Sequence, residues 1–145
     1  MATTTMIEPA PAGSGSIIVV VATDAPLLPH QCERLAQRAG LGIARVGGTG
    51  GQTSGDLFIA FATGNRLPPA DDEDGPTWLT HDVRTVGDGA IDALFDAVIE
   101  ATEEAIVNAL VAAETMTGRD GLTAHALPHP RLLEVMARYG RDPRT

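Results

Sequence analysis

Two short apolar runs, rich in β-branched and aromatic residues, alternate along this chain with longer segments of helical periodicity. Residues 17–23 and 57–62 form the two runs, and each has the pattern of a strand covered on both faces. Residues 29–45 between them predict a helix, with Pro29 in its first turn. The apolar stripe of this helix recurs at near-helical spacing and consists of Cys32, Leu35, Ala36, Ala39 and Ile43.

The second half of the chain is dominated by helical signals. Residues 90–115 repeat apolar positions at intervals of three and four, which predicts a long helix with a wide apolar face that ends near Gly118 and Gly121. A short extended segment is expected within residues 122–127, followed by a last helix over residues 128–139. Residues 64–80 are predicted to be a loop that carries a solvated acidic run.

The order of elements predicts an α/β layered fold: strand, helix, strand, long helix, short helix. Two strands buried on both faces do not make a finished sheet, and they do not cover a long apolar helix. We therefore expect these elements to form part of a larger core. Either the chain forms an oligomer through its apolar faces or another polypeptide completes the core.

Charge and composition exclude several classes of function. The net charge is −9, and all ten basic residues are arginine. Without lysine the chain has no Schiff-base chemistry, no pyridoxal phosphate site and no lysine-dependent phosphate loop. The acidity argues against nucleic acid as a partner. No apolar run reaches the length of a membrane span and no secretory signal opens the chain, so we expect a cytoplasmic protein without a membrane partner.

The motifs for cofactors and metals are weak. The glycine-rich segment 47–55 precedes a strand instead of a helix N-terminus, so it is not expected to bind phosphate. His125 and His129 straddle Pro128 in a predicted loop, which disfavours a shared metal-binding face. Cys32 lies in an apolar helical stripe and is expected to be a buried structural thiol. We predict no cofactor and no bound metal.

Hydroxyl and carboxylate groups at the starts of the two strands are the remaining candidates for chemistry. Ser16 opens the first strand after a flexible segment, residues 1–15, and Ser54 and Asp56 directly precede the second. If the strands are parallel neighbours, these side chains meet at one edge of the sheet. Cleavage of the Gly15–Ser16 bond would place a new α-amino group, a built-in base, beside the Ser16 hydroxyl. From the pattern alone, however, an ordinary turn before a core strand is the favoured interpretation.

The segment from Gly15 to His30 resembles the start of the β-subunit of the L-aminopeptidase/D-esterase family, which includes the β-peptidyl aminopeptidases. Further segments match in the same order: residues 54–61, 101–106, 113–120 and 126–129. The resemblance implies half of a four-layer αββα sandwich, similar to N-terminal-nucleophile hydrolases. It also implies cleavage between Gly15 and Ser16, so that residues 1–15 are a tail of the α-portion and residues 16–145 are the catalytic β-portion.

The family resemblance assigns roles to the residues at the strand starts. Ser16 would be the nucleophile and its freed α-amine the general base, with an ordinary pKa of about 8. Ser54 and Asp56 match the positions that orient the serine, although some family members have the longer Glu at the second position. The substrates implied are short peptides and amino-acid amides or esters, which react through an acyl-enzyme.

Family precursors carry a long α-portion upstream of the Gly-Ser bond, whereas about fifteen residues precede it here. The α-portion supplies the oxyanion-stabilising asparagine and the groups that hold the substrate's amino end. We therefore expect an α-portion acting in trans and an oligomeric assembly. Two alternatives stay open: a catalytically silent fragment or interaction subunit, and an acyltransferase, although such relatives use threonine as the nucleophile.

Overall fold

The computed structural model describes residues 15–67 and 80–141 of the chain. These residues fall into two compact units, which divide between Glu103 and Glu104 inside one long helix. The regular elements are β1 (Ile18–Thr23), α1 (Pro29–Arg45), β2 (Leu57–Ala62), α2 (Ile91–Ala112), β3 (Met116–Thr117), β4 (Thr123–Ala124) and α3 (His129–Arg138). The mixed α/β class predicted from the order of elements is confirmed. The acidic run at residues 71–74 and the tail up to residue 14 lie outside the described residues.

The first unit is built on a parallel pair of strands joined by a helical crossover. β1 and β2 pair in register from Ile18 opposite Leu57 to Thr23 opposite Ala62. Parallel strands require such a crossover, and α1 provides it. The observed bounds of α1 and β2 are those that the periodicity predicts.

The core of this unit lies between one face of the strand pair and the two helices. α1 buries Leu35, Ala36, Ala39 and Ile43, while Cys32 of the same stripe is partly buried as a free thiol. α2 contributes buried residues at helical spacing, which are Ile91, Phe95, Val98 and Thr102. From the strands, the inward-pointing side chains that pack on this core are Val19, Val21, Phe58, Ala60 and Ala62. The predicted helical stripe is therefore confirmed as the core face of α1.

The opposite face of the strand pair is apolar and exposed in the described structure. Ile18 is 71% exposed and Val20 is 60% exposed, and β2 adds Leu57, Ile59 and Phe61 to the same face. Successive strand residues point to opposite faces, so only one set of side chains reaches the helices. The prediction that both strands are covered on both faces is therefore wrong for the described chain. We call these five residues the outer sheet face.

A buried glutamine anchors the start of α1. Gln31 is 2% exposed, and its side-chain oxygen accepts the N–H of Leu28 (3.0 Å) and the hydroxyl of Thr85 (2.9 Å). Its amide nitrogen donates to the carbonyl oxygen of Val86 at 2.7 Å. A buried amide that is satisfied in this way fixes its neighbours instead of costing free energy. Gln31 thus ties the segment before α2 to the beginning of α1.

The second unit contains the end of α2, a short hairpin and α3. β3 and β4 are antiparallel, with Met116 opposite Ala124 and Thr117 opposite Thr123. α3 agrees with the predicted last helix, although none of its residues is buried. The extended segment expected within residues 122–127 is reduced to the two residues of β4.

The end predicted for α2 is wrong. The helix stops at Ala112 instead of residue 115, and Gly118 and Gly121 lie in the hairpin. The ring nitrogen Nε2 of His129 lies 2.9 Å from the carbonyl oxygen of Val111 in the last turn of the helix. The chain beyond the helix then pairs in β3. The helix therefore ends before the glycines, where residues distant in sequence contact its last turn.

Candidate active site

The starts of β1 and β2 lie side by side at one edge of the sheet. The N–H of Gly55 donates to Ser16 Oγ at 2.8 Å, and the N–H of Ile17 donates to Asp56 Oδ1 at 2.9 Å. The N–H of Leu57 completes the ladder with the carbonyl oxygen of Ile17 at 3.0 Å. The parallel pairing thus brings the segment 54–56 to Ser16, as the strand pattern predicts.

The carboxylate of Asp56 interacts with the backbone next to Ser16 instead of with the Ser16 hydroxyl. The side chain of Ser54 holds the pKa of Asp56 below its ordinary value, and the N–H of Ile17 lowers the same pKa further. Both groups stabilise the ionised form, and the small desolvation that opposes them does not reverse the direction. The side chain of Asp56, although shorter than that of Glu, is therefore long enough to reach the backbone N–H of Ile17 directly before β1.

The bond between Gly15 and Ser16 is not covered by any of residues 16–67 and 80–141. Ser16 is exposed, and a Cβ atom built on Gly15 would meet no atom within 4 Å. The Ser16 hydroxyl is thus held at the head of β1, next to the peptide bond that links Gly15 to Ser16. The edge therefore presents an oriented hydroxyl, a fixed carboxylate and open space on one side.

The N–H of Gly55 is a hydrogen-bond donor at this edge that sequence reasoning missed. It lies between the two predicted residues Ser54 and Asp56, and it makes the hydrogen bond to Ser16 Oγ. A backbone donor has no side-chain signature in a sequence. The available signal was the glycine itself, because a residue without a side chain allows close approach of its neighbours.

The other motifs singled out in the sequence do not converge on this edge. Gly47 and Gly50 of the glycine-rich loop adopt left-handed backbone angles, with φ of 96° and 58°. His129 begins α3, whereas His125 precedes it, so the two rings do not share a helical face. Within residues 15–67 and 80–141, no group of three or more His, Cys, Asp or Glu residues is arranged to hold a metal ion. No helix in the described part of the chain is long and apolar enough to cross a membrane.

Solved structures that are similar to this chain in sequence and fold define the class of protein. A β-aminopeptidase from a Burkholderia species is 51% identical and superposes with a TM-score of 0.76, over 91% of this chain and 36% of that one. The L-aminopeptidase D-Ala-esterase/amidase from Ochrobactrum anthropi is 44% identical with a TM-score of 0.75, over 93% of this chain and 37% of that one. The latter is a prototype serine aminopeptidase with a variant of the Ntn hydrolase fold. The described chain has a portion of that fold.

The particular family follows from the sequence. The model of peptidase family S58 matches residues 1–124, so the chain belongs to peptidase family S58. The chain is also 44% identical, over 129 residues, to the β-peptidyl aminopeptidase BapA of Sphingosinicella microcystinivorans. That alignment covers 89% of this chain and 31% of the relative. The chain thus spans about a third of the length of the curated relatives it matches.

Proposed function

We propose that this chain is the β-portion of an autoprocessed serine aminopeptidase that removes N-terminal residues from short peptides, amides or esters. The observation that carries the proposal is the geometry of the strand edge. Ser16 Oγ is held by a backbone donor, and Asp56 fixes the adjacent residue Ile17. Membership of peptidase family S58 supports the class of reaction.

The first chemical step is cleavage of the chain itself. Ser16 Oγ attacks the carbonyl carbon of Gly15, the C–N bond to Ser16 breaks, and Gly15 is left as an ester on the serine oxygen. Water then hydrolyses this ester. The products are a Gly15 carboxylate, a free Ser16 hydroxyl and the α-amino group of Ser16, which takes up a proton. The open space around Gly15 allows water to reach the ester.

The freed α-amine then serves as the general base in peptide hydrolysis. In its neutral form it accepts the proton of Ser16 Oγ as that oxygen attacks the substrate carbonyl. The leaving amine takes the proton, and the substrate's N-terminal residue stays on Oγ as an acyl-enzyme. Water hydrolyses the ester in the second half of the cycle. With an ordinary pKa of about 8, about a tenth of this amine is in the neutral, basic form at pH 7, and most of it is neutral only above pH 8.

Asp56 and Ser54 are positioning residues in this proposal. The Ser54 side chain and the N–H of Ile17 favour the ionised carboxylate of Asp56. Its negative charge, one residue from the α-amino group of Ser16, favours the ammonium form that the base reaches after proton uptake. Asp56 thereby has two roles: it holds the backbone at Ile17, and its charge stabilises the α-amine of Ser16 after that amine has taken up a proton.

An α-portion of the same family is the expected partner. The five large apolar side chains of the outer sheet face are exposed together, and contiguous apolar surface of this kind is typical of an interface. The matched relatives are about three times as long as the aligned segment, which leaves room in them for a second portion. That portion would provide the oxyanion donors and the pocket for the substrate's amino group.

The exposed face also favours one alternative, an interaction subunit without activity. An apolar interface is needed in both cases, so the interface does not distinguish them. The two hypotheses differ at Ser16, because an interaction subunit does not require cleavage before this residue.

Intact mass after co-expression with a family α-portion tests the proposal. We expect loss of residues 1–15 from the wild-type chain and no loss from Ser16→Ala, because the alanine has no nucleophile. Ser16→Cys keeps a nucleophile, and Thr53→Ala removes an exposed hydroxyl from the nearby loop. Both are expected to be cleaved. An unprocessed wild-type chain that releases no amino acid from peptide amides would leave the interaction subunit as the function.

A further inference from the structure

The geometry points to Gly55 as a further catalytic residue, whose backbone N–H stabilises negative charge on Ser16 Oγ and whose missing side chain leaves the oxygen open to the acyl group. This inference rests on the proposed role of Ser16 as nucleophile. It assigns a part of the catalytic apparatus to this chain itself, apart from the oxyanion donors expected from the α-portion.

The first argument is the use of the hydroxyl's hydrogen-bonding capacity. A serine hydroxyl has one O–H donor and two acceptor lone pairs. The N–H of Gly55 occupies one lone pair, at an N···O distance of 2.8 Å. The O–H therefore remains free to be given to the base, and the second lone pair remains free to attack a carbonyl carbon.

The second argument concerns the change in charge during the reaction. Ser16 Oγ gains negative charge when it loses its proton to the base, and again when it leaves as an alkoxide during hydrolysis of the acyl-enzyme. A hydrogen bond to a charged oxygen is about twice as strong as one between neutral groups. The donation from Gly55 is therefore stronger in these transition states than in the resting enzyme, which is the condition for it to raise the rate.

The third argument is that the donor is held in place from both sides. Before Gly55, the N–H of Ser54 donates to the carbonyl oxygen of Gly51 at 2.8 Å. After it, Asp56 accepts the N–H of Ile17, and Leu57 enters the β2 ladder. A donor fixed in this way needs no reorganisation when charge develops.

The need for glycine at this position is steric. Gly55 is not among the residues with left-handed backbone angles, so its φ angle does not by itself require a glycine. A Cβ atom at Gly55 would lie 3.4 Å from Ser16 Oγ, at the margin of an ordinary contact. It would stand beside the oxygen that must form a bond to the carbonyl carbon. The absence of a side chain keeps this space free.

Two substitutions separate the effect of the N–H donor of Gly55 from the effect of its missing side chain. Gly55→Ala adds a Cβ atom and keeps the N–H, whereas Gly55→Pro adds a ring and removes the N–H. Each variant is co-expressed with a family α-portion, and the rate of loss of residues 1–15 is followed by intact mass. The rate at which phenylmethanesulfonyl fluoride modifies Ser16 is the second readout. We expect Gly55→Pro to be about 10 to 100 times slower than Gly55→Ala in both, as for loss of one hydrogen bond to a charged group.

Thermal unfolding of each variant distinguishes a loss of rate from a loss of structure. If Gly55→Pro fails to fold, an ester in place of the Gly55 amide, introduced as glycolic acid, removes the N–H without a ring. The same loss of rate is expected there, with a pH–rate profile whose midpoint is unchanged, because the donor acts on Ser16 Oγ and not on the α-amine. An ester variant that is processed and sulfonylated as fast as the wild type would overturn the inference.

Failure of the proposed function gives a different result. If Ser16→Ala is still cleaved, or still takes up the sulfonyl group at the same position in the chain, Ser16 is not the nucleophile, whatever the Gly55 variants do. If Ser16→Ala is inert and Gly55→Pro matches Gly55→Ala, Ser16 is the nucleophile and Gly55 has no catalytic part.

Discussion

The two faces of the β1–β2 pair have the same apolar character and opposite surroundings. On the inner face Val19, Val21 and Phe58 pack against the buried cluster to which α1 and α2 contribute. On the outer sheet face Ile18 and Val20 are largely exposed, although their side chains are as apolar as those of their neighbours in the strand. An uninterrupted β-branched run is typical of a strand covered on both faces, whereas the described residues cover only one face of this strand pair.

The difference gives the two faces separate roles. The inner face stabilises the described unit, because its side chains are removed from water by the helices of the same chain. The outer face contributes little to that stability and is available to a partner. Substitutions on the two faces should consequently affect different measurements.

The largest expected effect is a loss of stability caused by a substitution in the core that covers the inner face. Leu35 is 1% exposed and lies at the centre of the core, so Leu35→Ala is expected to lower the free energy of unfolding by about 2–5 kcal/mol. Leu41→Ala is the matched control on the same helix, because Leu41 is 53% exposed. Its effect is expected to stay within about 0.5 kcal/mol. Urea unfolding followed by circular dichroism measures both, and equal losses would contradict the assignment of the core.

A pair of glycines in α1 tests how closely the inner layer is packed. A Cβ atom on Gly42 would lie 2.7 Å from the carbonyl oxygen of Ile99 and 2.7 Å from Cβ of Thr102. Gly42→Ala is therefore expected to cost about 1–3 kcal/mol through overpacking. At Gly40 the new atom would meet only the ring of Phe58, at 3.6 Å.

The two glycine variants should thus change stability in opposite directions. Gly40→Ala is expected to stabilise the helix by up to about 1 kcal/mol, because alanine has the higher helix propensity. Thermal unfolding of the two single variants gives the comparison. A Gly42→Ala protein as stable as Gly40→Ala would show that α1 and α2 approach less closely than the structure indicates.

Some features of the structure could be predicted from the sequence and others could not. The bounds of α1 and β2 follow from apolar periodicity. The approach of the segment 54–56 to the start of β1 follows from the geometry of parallel neighbouring strands. The end of α2 follows from neither, and the contact of His129 with the last turn of this helix joins residues that are 18 positions apart in the sequence. The hydrogen bond from Gly55 is also not predictable, since a backbone donor leaves no mark in the residue pattern.

The same limit explains the error about strand burial. The pattern of residues 17–23 is typical of a strand covered on both faces, and the described residues place helices on one face only. The family resemblance adds the expected partner for the other side. Apolar periodicity alone leaves open whether a partner or a second copy provides that cover.

Neighbouring valines of β1 test the contrast between the faces directly. Val21→Thr places a hydroxyl on the inner face and is expected to cost about 1–3 kcal/mol, because the added group lacks a partner there. Val20→Thr places the same hydroxyl on the outer face, where Val20 is 60% exposed. Its effect on unfolding of the chain is expected to stay within about 0.5 kcal/mol.

The outer variant should instead weaken the complex with the α-portion. Val20→Thr is expected to reduce the yield of the co-purified complex, while Leu41→Ala, also exposed but on α1, leaves it unchanged. Isothermal titration or size-exclusion chromatography provides the measurement. If Val20→Thr and Val21→Thr lower the stability of the chain equally, the two faces are equivalent and the outer face is not reserved for a partner.

The smallest expected effect is a pH dependence of stability at the edge formed by the starts of β1 and β2. The pKa of Asp56 is lowered from its ordinary value of 3.8, first by the Ser54 side chain and then by the N–H of Ile17. Because the folded state favours the ionised form, its contribution to stability is present above pH 3.8 and is lost as the pH falls through the lowered pKa.

Hydrogen exchange of the Ile17 amide reports this loss at the residue itself. Protection of the amide is expected to weaken as the carboxylate of Asp56 becomes protonated, because a neutral acid is a poorer acceptor than a carboxylate. Asp56→Asn should remove this pH dependence, whereas Asp24→Asn, beyond the other end of β1, should leave it intact. If protection in the wild type does not change as the pH falls through the lowered pKa of Asp56, the charge of Asp56 does not hold the start of β1. Its part in positioning Ser16 is then only steric.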